Sequence, residues 1–429
     1  MGANLHNRSL RWRLGFLLLW LGFAALAVPK VALAEPPKRM VPLATWPAAK
    51  VRGLAPLLRS SDVAVFETKV DGHLRQLSLF TLVAAPAKLV RDVILHAEQY
   101  KDFVPNFKLA NVSAKKDSSF EFEYTLDYGM FTIDGFNRYL QLPNDPEADA
   151  APVEIRDLDP NYNHSVRRYR FEFYEIGGCT VLAMYGYTDV SASGGFLGRI
   201  LQRVPTMEQG MALVAHDTMM LSMKRRAEKI TPITPMLPAA GNAPYDFLLQ
   251  RGMVVLLRSQ NGRLAEVSMI SRTPATVQQL VEVLQRPHDF SSYIPSITKS
   301  YDSGRSDEMQ RIDLEQSLPI LSFRTMYGVR SVGTSIDMFG LSGDLKGGRL
   351  RWDIGTHREG AQIVLRTSQQ YDRASLIIRQ LYKMEPFLEY GINVGLQMVL
   401  LVGAQNKAEQ LAKLPRSETP IPADNKIYQ

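Results

Sequence analysis

Cysteine is almost absent from this chain: Cys179 is the only one among 429 residues. An intramolecular disulfide is therefore excluded, and if the chain folds outside the cytoplasm its hydrophobic cores alone must stabilise it. Cys179 opens an apolar run and has no base beside it in the sequence. This context favours a packed side chain over a nucleophile.

The motifs of common catalytic and metal sites are also missing. The seven histidines show no His-x-x-x-His or Glu-x-x-His spacing, the spacing by which one helix face presents metal ligands. There is no Gly-x-Ser-x-Gly elbow, phosphate-binding loop or dinucleotide fingerprint. We therefore expect a protein that is not an enzyme, with no catalytic residue, no metal and no cofactor.

Charge of one sign and long apolar runs are scarce as well. The formal net charge is +7, but residues 1–34 hold four basic residues and no acidic one. That leaves +3 for the rest of the chain, so nucleic-acid binding is not expected. The apolar stretch Leu14–Val28 follows three arginines and precedes a small-x-small pattern ending at Ala34, which predicts a secretory signal peptide over residues 1–34. An uncleaved anchor is the alternative, although the stretch is shorter than the ~20 residues that span a bilayer.

The most informative feature that is present is a set of short signatures occurring twice in the same order. The set consists of an x-Pro-Ala anchor at 85–87 and 273–275, an aromatic-x-x-aromatic-aliphatic-Pro signature at 100–105 and 290–295, and a Pro-x-x-Glu-x-Gly signature at 205–210 and 386–391. Repetition of a fixed order indicates two copies of one fold.

Each copy is predicted to contain a strand, short helices, several antiparallel strands and one long C-terminal helix. Alternation of apolar and polar residues, as in Ser118–Tyr128 and Val166–Glu175, predicts the strands. Four prolines between Thr231 and Pro244 mark a domain boundary. The predicted organisation is a signal peptide at 1–34, a lead-in at 35–60, a first domain at 61–230, a Pro-rich linker at 231–246, a second domain at 247–413 and a disordered tail at 414–429.

The Pro-x-x-Glu-x-Gly signature has a structural and a functional interpretation. Proline either kinks the long helix or marks where its regular part begins. Glu208 and Glu389 would then lie near a helix N-terminus, and Gly210 and Gly391 would permit close approach of the sheet. The functional alternative is a hinge that admits a ligand, with the glutamate inside the pocket.

The pattern resembles the START-like superfamily, also known as SRPBCC, polyketide cyclase and lipid transport, or helix-grip. The resemblance is carried by Ala85-Pro86, the two aromatic-Pro signatures and the long terminal helices. The first copy resembles the coenzyme Q-binding branch, and the second departs from it by a two-residue insertion around Arg286-Pro287. The resemblance implies an α+β fold of two helix-grip domains, each a curved antiparallel sheet wrapped around a long C-terminal helix, with a cavity for an apolar ligand.

Aromatic and aliphatic side chains on the inward faces are the candidate lining of these cavities. Tyrosine combines an apolar ring with a polar tip, and methionine adapts its shape to a flexible lipid. Ordinary core packing is the alternative for each of them. The candidates are Phe103, Tyr124, Tyr128, Phe131, Tyr139, Phe171, Phe173, Tyr185, Met207, Met211, Tyr293, Phe323, Tyr327, Trp352, Leu388 and Ile392.

These observations lead us to expect an exported protein, in the periplasm of a Gram-negative bacterium, that binds and transfers a hydrophobic small molecule such as a lipid, sterol or quinone. A membrane surface or an envelope transport protein is the expected partner. One alternative is an enzyme similar to polyketide aromatase/cyclases, against which the export signal argues because carrier-bound substrates are cytoplasmic. Another is that one domain, the more divergent second copy, serves as a protein-interaction module.

Overall fold

The computed structural model describes residues 43–69, 72–127, 132–158, 166–189, 205–231, 246–260, 263–306, 309–318, 321–368, 379 and 387–413. All of them belong to one compact unit, Pro42–Gln429. The predicted signal peptide and tail lie outside the described residues, as do residues 232–245 of the predicted linker.

The first copy is preceded by two short helices and ends in a long one. Its elements are α1 (Ala48–Arg52), α2 (Ala55–Leu58), β1 (Asp62–Thr68), β2 (Leu74–Val83), α3 (Ala87–Leu95), α4 (Tyr100–Phe103), β3 (Phe107–Lys116), β4 (Ser119–Asp127), β5 (Thr132–Gln141), β6 (Ala150–Asp157), β7 (Val166–Ile176), β8 (Cys179–Asp189) and α5 (Pro205–Ile230).

The second copy repeats this order. Its elements are α6 (Asp246–Leu249), β9 (Met253–Gln260), β10 (Arg263–Thr273), α7 (Val277–Leu284), a 3-10 helix (Pro287–Ser292), β11 (Ile297–Ser306), β12 (Met309–Leu318), β13 (Leu321–Val332), β14 (Ser335–Gly343), β15 (Arg349–His357), β16 (Gly360–Ser368) and α8 (Phe387–Lys413). None of the helices described is long and apolar enough to cross a membrane.

The x-Pro-Ala anchors mark the starts of α3 and α7. Pro86 directly precedes α3 in an extended conformation. In the second copy the Thr276 hydroxyl accepts from the Gln279 backbone N–H at 3.3 Å, and the Gln279 side chain accepts from the Thr276 N–H at 2.8 Å. This reciprocal capping satisfies two backbone donors that a helix start leaves free.

The sixteen strands of the described residues form one antiparallel sheet. Their order is β11-β12-β13-β14-β15-β16-β10-β9-β1-β2-β8-β7-β6-β5-β4-β3. Each copy contributes one continuous half, and the halves join where β1 pairs with β9. Both joining strands are apolar on both faces, as expected for strands covered on two sides.

The β1–β9 pair lies on a pseudo-twofold axis. Ala64 pairs with Val255, while Val63 pairs with Leu256 and Val65 with Val254. Because Val63 and Val254 occupy the same place in their copies, opposite Phe80 and Ile270 respectively, the two copies are related by a half-turn about the Ala64–Val255 pair.

Two hydrophobic clusters cover the two faces of the sheet. On one face, which we call the grip face, lies the larger cluster, containing residues of α5, α8 and both half-sheets. On the other, the back face, a smaller cluster packs α1, α2 and α6 against β1, β2, β8 and β9. Trp46 is central to it, 5.8 Å from the ring of Phe80 and 5.3 Å from that of Phe247. Part of the lead-in is thus packed core.

The two long helices also contact each other. A side-chain carbon built on Gly395 of α8 would lie 4.0 Å from the Cα of Gly210 in α5. The glycine of the third signature in the first copy therefore faces the other helix, whereas the sequence led us to expect the sheet beside it. The described parts of α5 and α8 begin at Pro205 and Phe387, so the choice between kink and helix start stays a prediction.

Candidate functional site

The grip face of the first copy is built around Tyr100, the first residue of its aromatic-Pro signature. Tyr100 is fully buried and meets the rings of Phe103, Phe107 and Phe122 edge to face, with centroids 5.7, 5.6 and 5.5 Å away. Edge-to-face contacts of this kind add to the apolar area that the rings bury. The signature therefore anchors the turn between α3 and β3 to the interior of the sheet.

Tyr100 and Tyr139 carry buried hydroxyl groups in this interior, and each influences the pKa of the other. Tyr100 donates to the backbone carbonyl of Ile94 at 2.5 Å. Burial, the main cause, raises the pKa of both hydroxyls above the ordinary tyrosine range. Both groups are thus neutral at physiological pH and serve as donors and acceptors.

Other candidates of the first copy lie in the same interior. The Phe120 and Tyr139 rings stack at 4.6 Å, and the Tyr124 ring lies 5.6 Å from that of Phe122. Phe171 and Phe173 are buried in the same cluster. Tyr128 and Phe131 are outside the described residues, and the side chains of Met207, Met211, Leu388 and Ile392 are not described, although these four residues lie in α5 and α8.

Tyr185 requires a correction, because it lies on the back face. Its ring is 6.2 Å from that of Phe80, and its hydroxyl accepts from the Trp46 backbone N–H at 3.2 Å. Its neighbour Met184 lies in the grip-face cluster instead. Residues 180–187 are largely apolar on both faces, so the sequence gives no alternation from which to assign the inward side.

His216 on α5 is a grip-face residue that the sequence did not reveal. Its ring meets that of Tyr169 at 4.9 Å, and a side chain on Gly186 would clash with it at 2.6 Å. Its Nδ1 contacts the carbonyl of Ala212 one turn earlier. The apolar stripe of α5 does not include His216, because the helix is buried against both the sheet and α8. The sequence signal for this contact is Gly186, the residue opposite the His216 ring.

The second copy places its candidates in corresponding positions. Phe323, Tyr327 and Trp352 are buried in the grip-face cluster, and half-buried Tyr293 packs against it. Tyr293 donates to the Val283 carbonyl at 3.3 Å. Burial raises the pKa of the Tyr327 hydroxyl. Aromatic side chains thus anchor the turn between α7 and β11, as they do the turn between α3 and β3 in the first copy.

Several buried polar atoms on the second grip face have no hydrogen-bond partner within the part of the chain that the structure describes. They are the Oε1 and Nε2 atoms of Gln397, Oγ1 of Thr367, Nε1 of Trp352 and Nε2 of Gln316. Gln397 is fully buried, and the other three are less than one-tenth exposed. A buried polar group without a partner costs folding free energy. Their concentration inside an apolar interior indicates a place for a polar group that the described residues do not supply.

A second buried polar cluster lies near the sheet axis. Asp62 accepts from the Thr81 hydroxyl at 2.5 Å, and Lys224 donates to the Leu82 carbonyl at 2.6 Å. Burial, reinforced by the carboxylate of Asp62, raises the pKa of Asp217 well above its ordinary value. Within the described ranges, no group of three or more His, Cys, Asp or Glu side chains could hold a metal ion.

A hollow of about 350 Å³ lies between α3 and the β3–β5 strands, and the grip-face residue Phe120 lines part of it. Charged side chains contribute to its wall, among them Arg91, Asp92, Lys115 and Lys116. Because small-molecule sites for apolar ligands are lined mostly by hydrophobic groups, this hollow does not suit one. Cys179 is buried in the back-face cluster, where burial raises the pKa of its thiol.

No protein-family model and no curated protein sequence matches the chain. Solved structures do match. The di-domain aromatase/cyclase StfQ of the steffimycin biosynthetic pathway is 14% identical over 79% of this chain and 99% of its own, with a TM-score of 0.27. Its counterpart BexL of the BE-7585A pathway is 11% identical over 80% and 99%, with a TM-score of 0.28. A STAR-related lipid transfer protein from Xanthomonas axonopodis is 15% identical over 37% and 94%, with a TM-score of 0.30.

The strand order and the terminal helices decide the fold assignment. In each copy two strands and short helices precede six antiparallel strands, and a long helix then packs on the grip face. Each copy thus has the order of strands and helices that the START-like resemblance implies. The predicted α+β class with two helix grips is confirmed, and the two grips share one sheet. The assignment of the first copy to the coenzyme Q-binding branch stays a prediction.

Proposed function

We propose that this protein binds a hydrophobic small molecule, such as a lipid, sterol or quinone, between the sheet and the long helix of a START-like grip. The observation that carries the proposal is the set of unpartnered polar atoms of Gln397, Thr367 and Trp352 in an apolar, aromatic interior. Ligand pockets combine a mostly apolar lining with a few polar groups that orient the ligand. Burial of a lipid chain contributes roughly 25 cal/mol per Å² without any covalent step.

We also propose that the protein works by binding and transfer in the periplasm of a Gram-negative bacterium. The signal-like residues 1–34 support export. A lipid moving between two membranes must cross water, and a protein that encloses it removes that barrier. A membrane surface or an envelope transport protein would supply and receive the ligand.

Binding without catalysis is the function we favour over cyclisation. The buried tyrosine hydroxyls of the first grip are held neutral by desolvation, which suits hydrogen bonding to a ligand better than nucleophilic attack. One observation favours the enzyme alternative: His216 and Tyr169 lie side by side on the grip face. A His216→Ala variant that keeps its bound ligand and its transfer activity would support the binding function.

The test is identification of a bound molecule. The full chain is purified from the envelope fraction, extracted with organic solvent and compared by mass spectrometry with an unrelated periplasmic protein treated identically. We expect enrichment of an apolar molecule and a mature N-terminus at Glu35. Absence of any enriched molecule, together with no uptake of phospholipids, sterols or quinones, would contradict the proposal.

A further inference from the structure

The two grips differ at one equivalent position on their long helices. Lys224 on α5 donates to the β2 carbonyl of Leu82, and Gln405 on α8 donates to the β10 carbonyl of Arg272 at 3.3 Å. Leu82 and Arg272 are equivalent, because each lies two residues after the equivalent residues Phe80 and Ile270. The two side chains therefore occupy corresponding places on their sheets. His216 lies eight residues before Lys224, and Gln397 lies eight residues before Gln405. His216 and Gln397 are therefore equivalent as well.

The sheet positions that face these two side chains correspond as well. Gly186 pairs with Leu77 in the first copy, and Thr367 pairs with Val267 in the second. Leu77 and Val267 are themselves equivalent, because they pair with Phe66 of β1 and Leu257 of β9. Since His216 lies against Gly186, the pseudo-symmetry places Gln397 against Thr367.

In the first copy the polar side chain at this helix position has partners, and in the second copy it has none among the described residues. His216 has Tyr169 beside its ring and the Ala212 carbonyl at its Nδ1. Gln397 is fully buried and both polar atoms of its side chain lack partners, as does Oγ1 of Thr367.

Trp352 adds a donor beside this pair. Trp352 pairs with Leu365, so it is a diagonal neighbour of Thr367 on the next strand, at a distance of ~7–8 Å between backbones. Its indole Nε1 is buried without a partner. In the first copy the grip face and α5 leave three side-chain oxygens unpartnered, Oδ1 of Asn137, Oε1 of Gln209 and Oδ2 of Asp217, and none of their nitrogen donors is among the unpartnered atoms of the described residues.

We propose that the second copy holds the polar head of the ligand at Gln397, and that this head is a neutral group with both a donor and an acceptor, such as a primary amide or a protonated carboxylic acid. This inference rests on the proposed function and specifies its site and ligand chemistry. Gln397 Oε1 accepts from the head, while Gln397 Nε2 and Trp352 Nε1 donate to it. A neutral head fits because Gln, Thr and Trp offer no charge to balance a buried ion.

The experiment compares ligands that share a chain and differ in the head. Dodecanamide, methyl dodecanoate and dodecane are titrated against full-length protein loaded with 1-anilinonaphthalene-8-sulfonate, and displacement of the dye is followed by fluorescence. We expect dodecanamide to bind about 10-fold more tightly than the ester, because the ester lacks the donor that Gln397 Oε1 requires.

Three variants locate the effect. Gln397→Met keeps the volume and removes both polar atoms, so we expect the amide and the ester to bind equally. His216→Met changes the equivalent position of the first copy, and exposed Gln410→Met changes the surface of the same helix; both should retain the 10-fold preference. Thr367→Val serves as a second site variant, with a smaller loss, should Gln397→Met fold poorly.

The outcomes separate the assignment of the head-group site from the proposed function of ligand binding. A preference that persists in Gln397→Met and Thr367→Val, or that disappears in His216→Met, overturns the assignment to the second copy while ligand binding stands. Equal affinity of amide and ester in the unmodified protein overturns the head-group chemistry. If no compound displaces the dye and no bound molecule is extracted, the proposed function fails as well.

Discussion

The Tyr100 hydroxyl offers a sharp test of the view that the aromatic-Pro signature is structural. Tyr100 donates to the Ile94 carbonyl at 2.5 Å in a fully buried site. The substitution Tyr100→Phe keeps the ring and its edge-to-face contacts and deletes only the oxygen. The carbonyl of buried Ile94 then loses this hydrogen-bond donor.

The expected cost follows from the lost hydrogen bond to that carbonyl. Leaving buried donors and acceptors unsatisfied costs about 1–3 kcal/mol in the free energy of unfolding. The second copy provides a matched control, because half-buried Tyr293 donates to the Val283 carbonyl through a longer bond of 3.3 Å. Tyr293→Phe should therefore cost about 0.5–1.5 kcal/mol. Phe290, which stands in the second copy where Tyr100 stands in the first, shows that the ring alone can fill this position.

Urea titration followed by tryptophan fluorescence measures both variants against the unmodified protein. The slope of the unfolding free energy with urea should stay the same, since neither change alters the surface exposed on unfolding. The reasoning is refuted if Tyr100→Phe lies within about 0.5 kcal/mol of the unmodified protein, or if Tyr293→Phe costs more than Tyr100→Phe.

Three further predictions concern other buried contacts. Asp217→Asn should stabilise the protein at pH 8 and leave it almost unchanged at pH 4 in thermal melts. The reason is that the pKa of Asp217 is raised in the folded state, so its contribution to stability falls as the pH rises above the ordinary value of 3.8. Equal destabilisation at both pH values would contradict this. Gly186→Ala should cost about 1–3 kcal/mol by pressing on His216, and His216→Ala in the same chain should recover part of it; additive losses would argue against the contact. Trp46→Ala should cost about 3–5 kcal/mol by emptying the back-face core, and a loss below about 1 kcal/mol in urea would show that the lead-in is not part of that core.

The repeated signatures predicted the tandem fold well because each reflects a local constraint. Pro86 and Thr276 start helices, and Tyr100 and Phe290 bury aromatic rings at equivalent turns. Local rules of this kind can be read from spacing alone. The pairing of β1 with β9 is different, since an apolar strand such as β1 does not specify its partner across nearly two hundred residues.

Edge strands and two-sided burial explain the elements and facings that were not predicted. β3 and β11 form the outer edges of the sheet and are largely exposed and polar, so they carry no alternation. Tyr185 lies in a strand covered on both faces, which hides its direction. Gln397 and its equivalent His216 are isolated polar residues in the sequence of the two long helices, so no motif marks them.

Native mass spectrometry of the full chain, purified from the envelope and sprayed from a volatile buffer, tests the central claim most directly. The account predicts a mass increment from one apolar molecule bound per chain, held about 10-fold more weakly by Gln397→Met and equally well by His216→Met. A protein that carries no molecule and takes up none from phospholipid, sterol or quinone vesicles would contradict it.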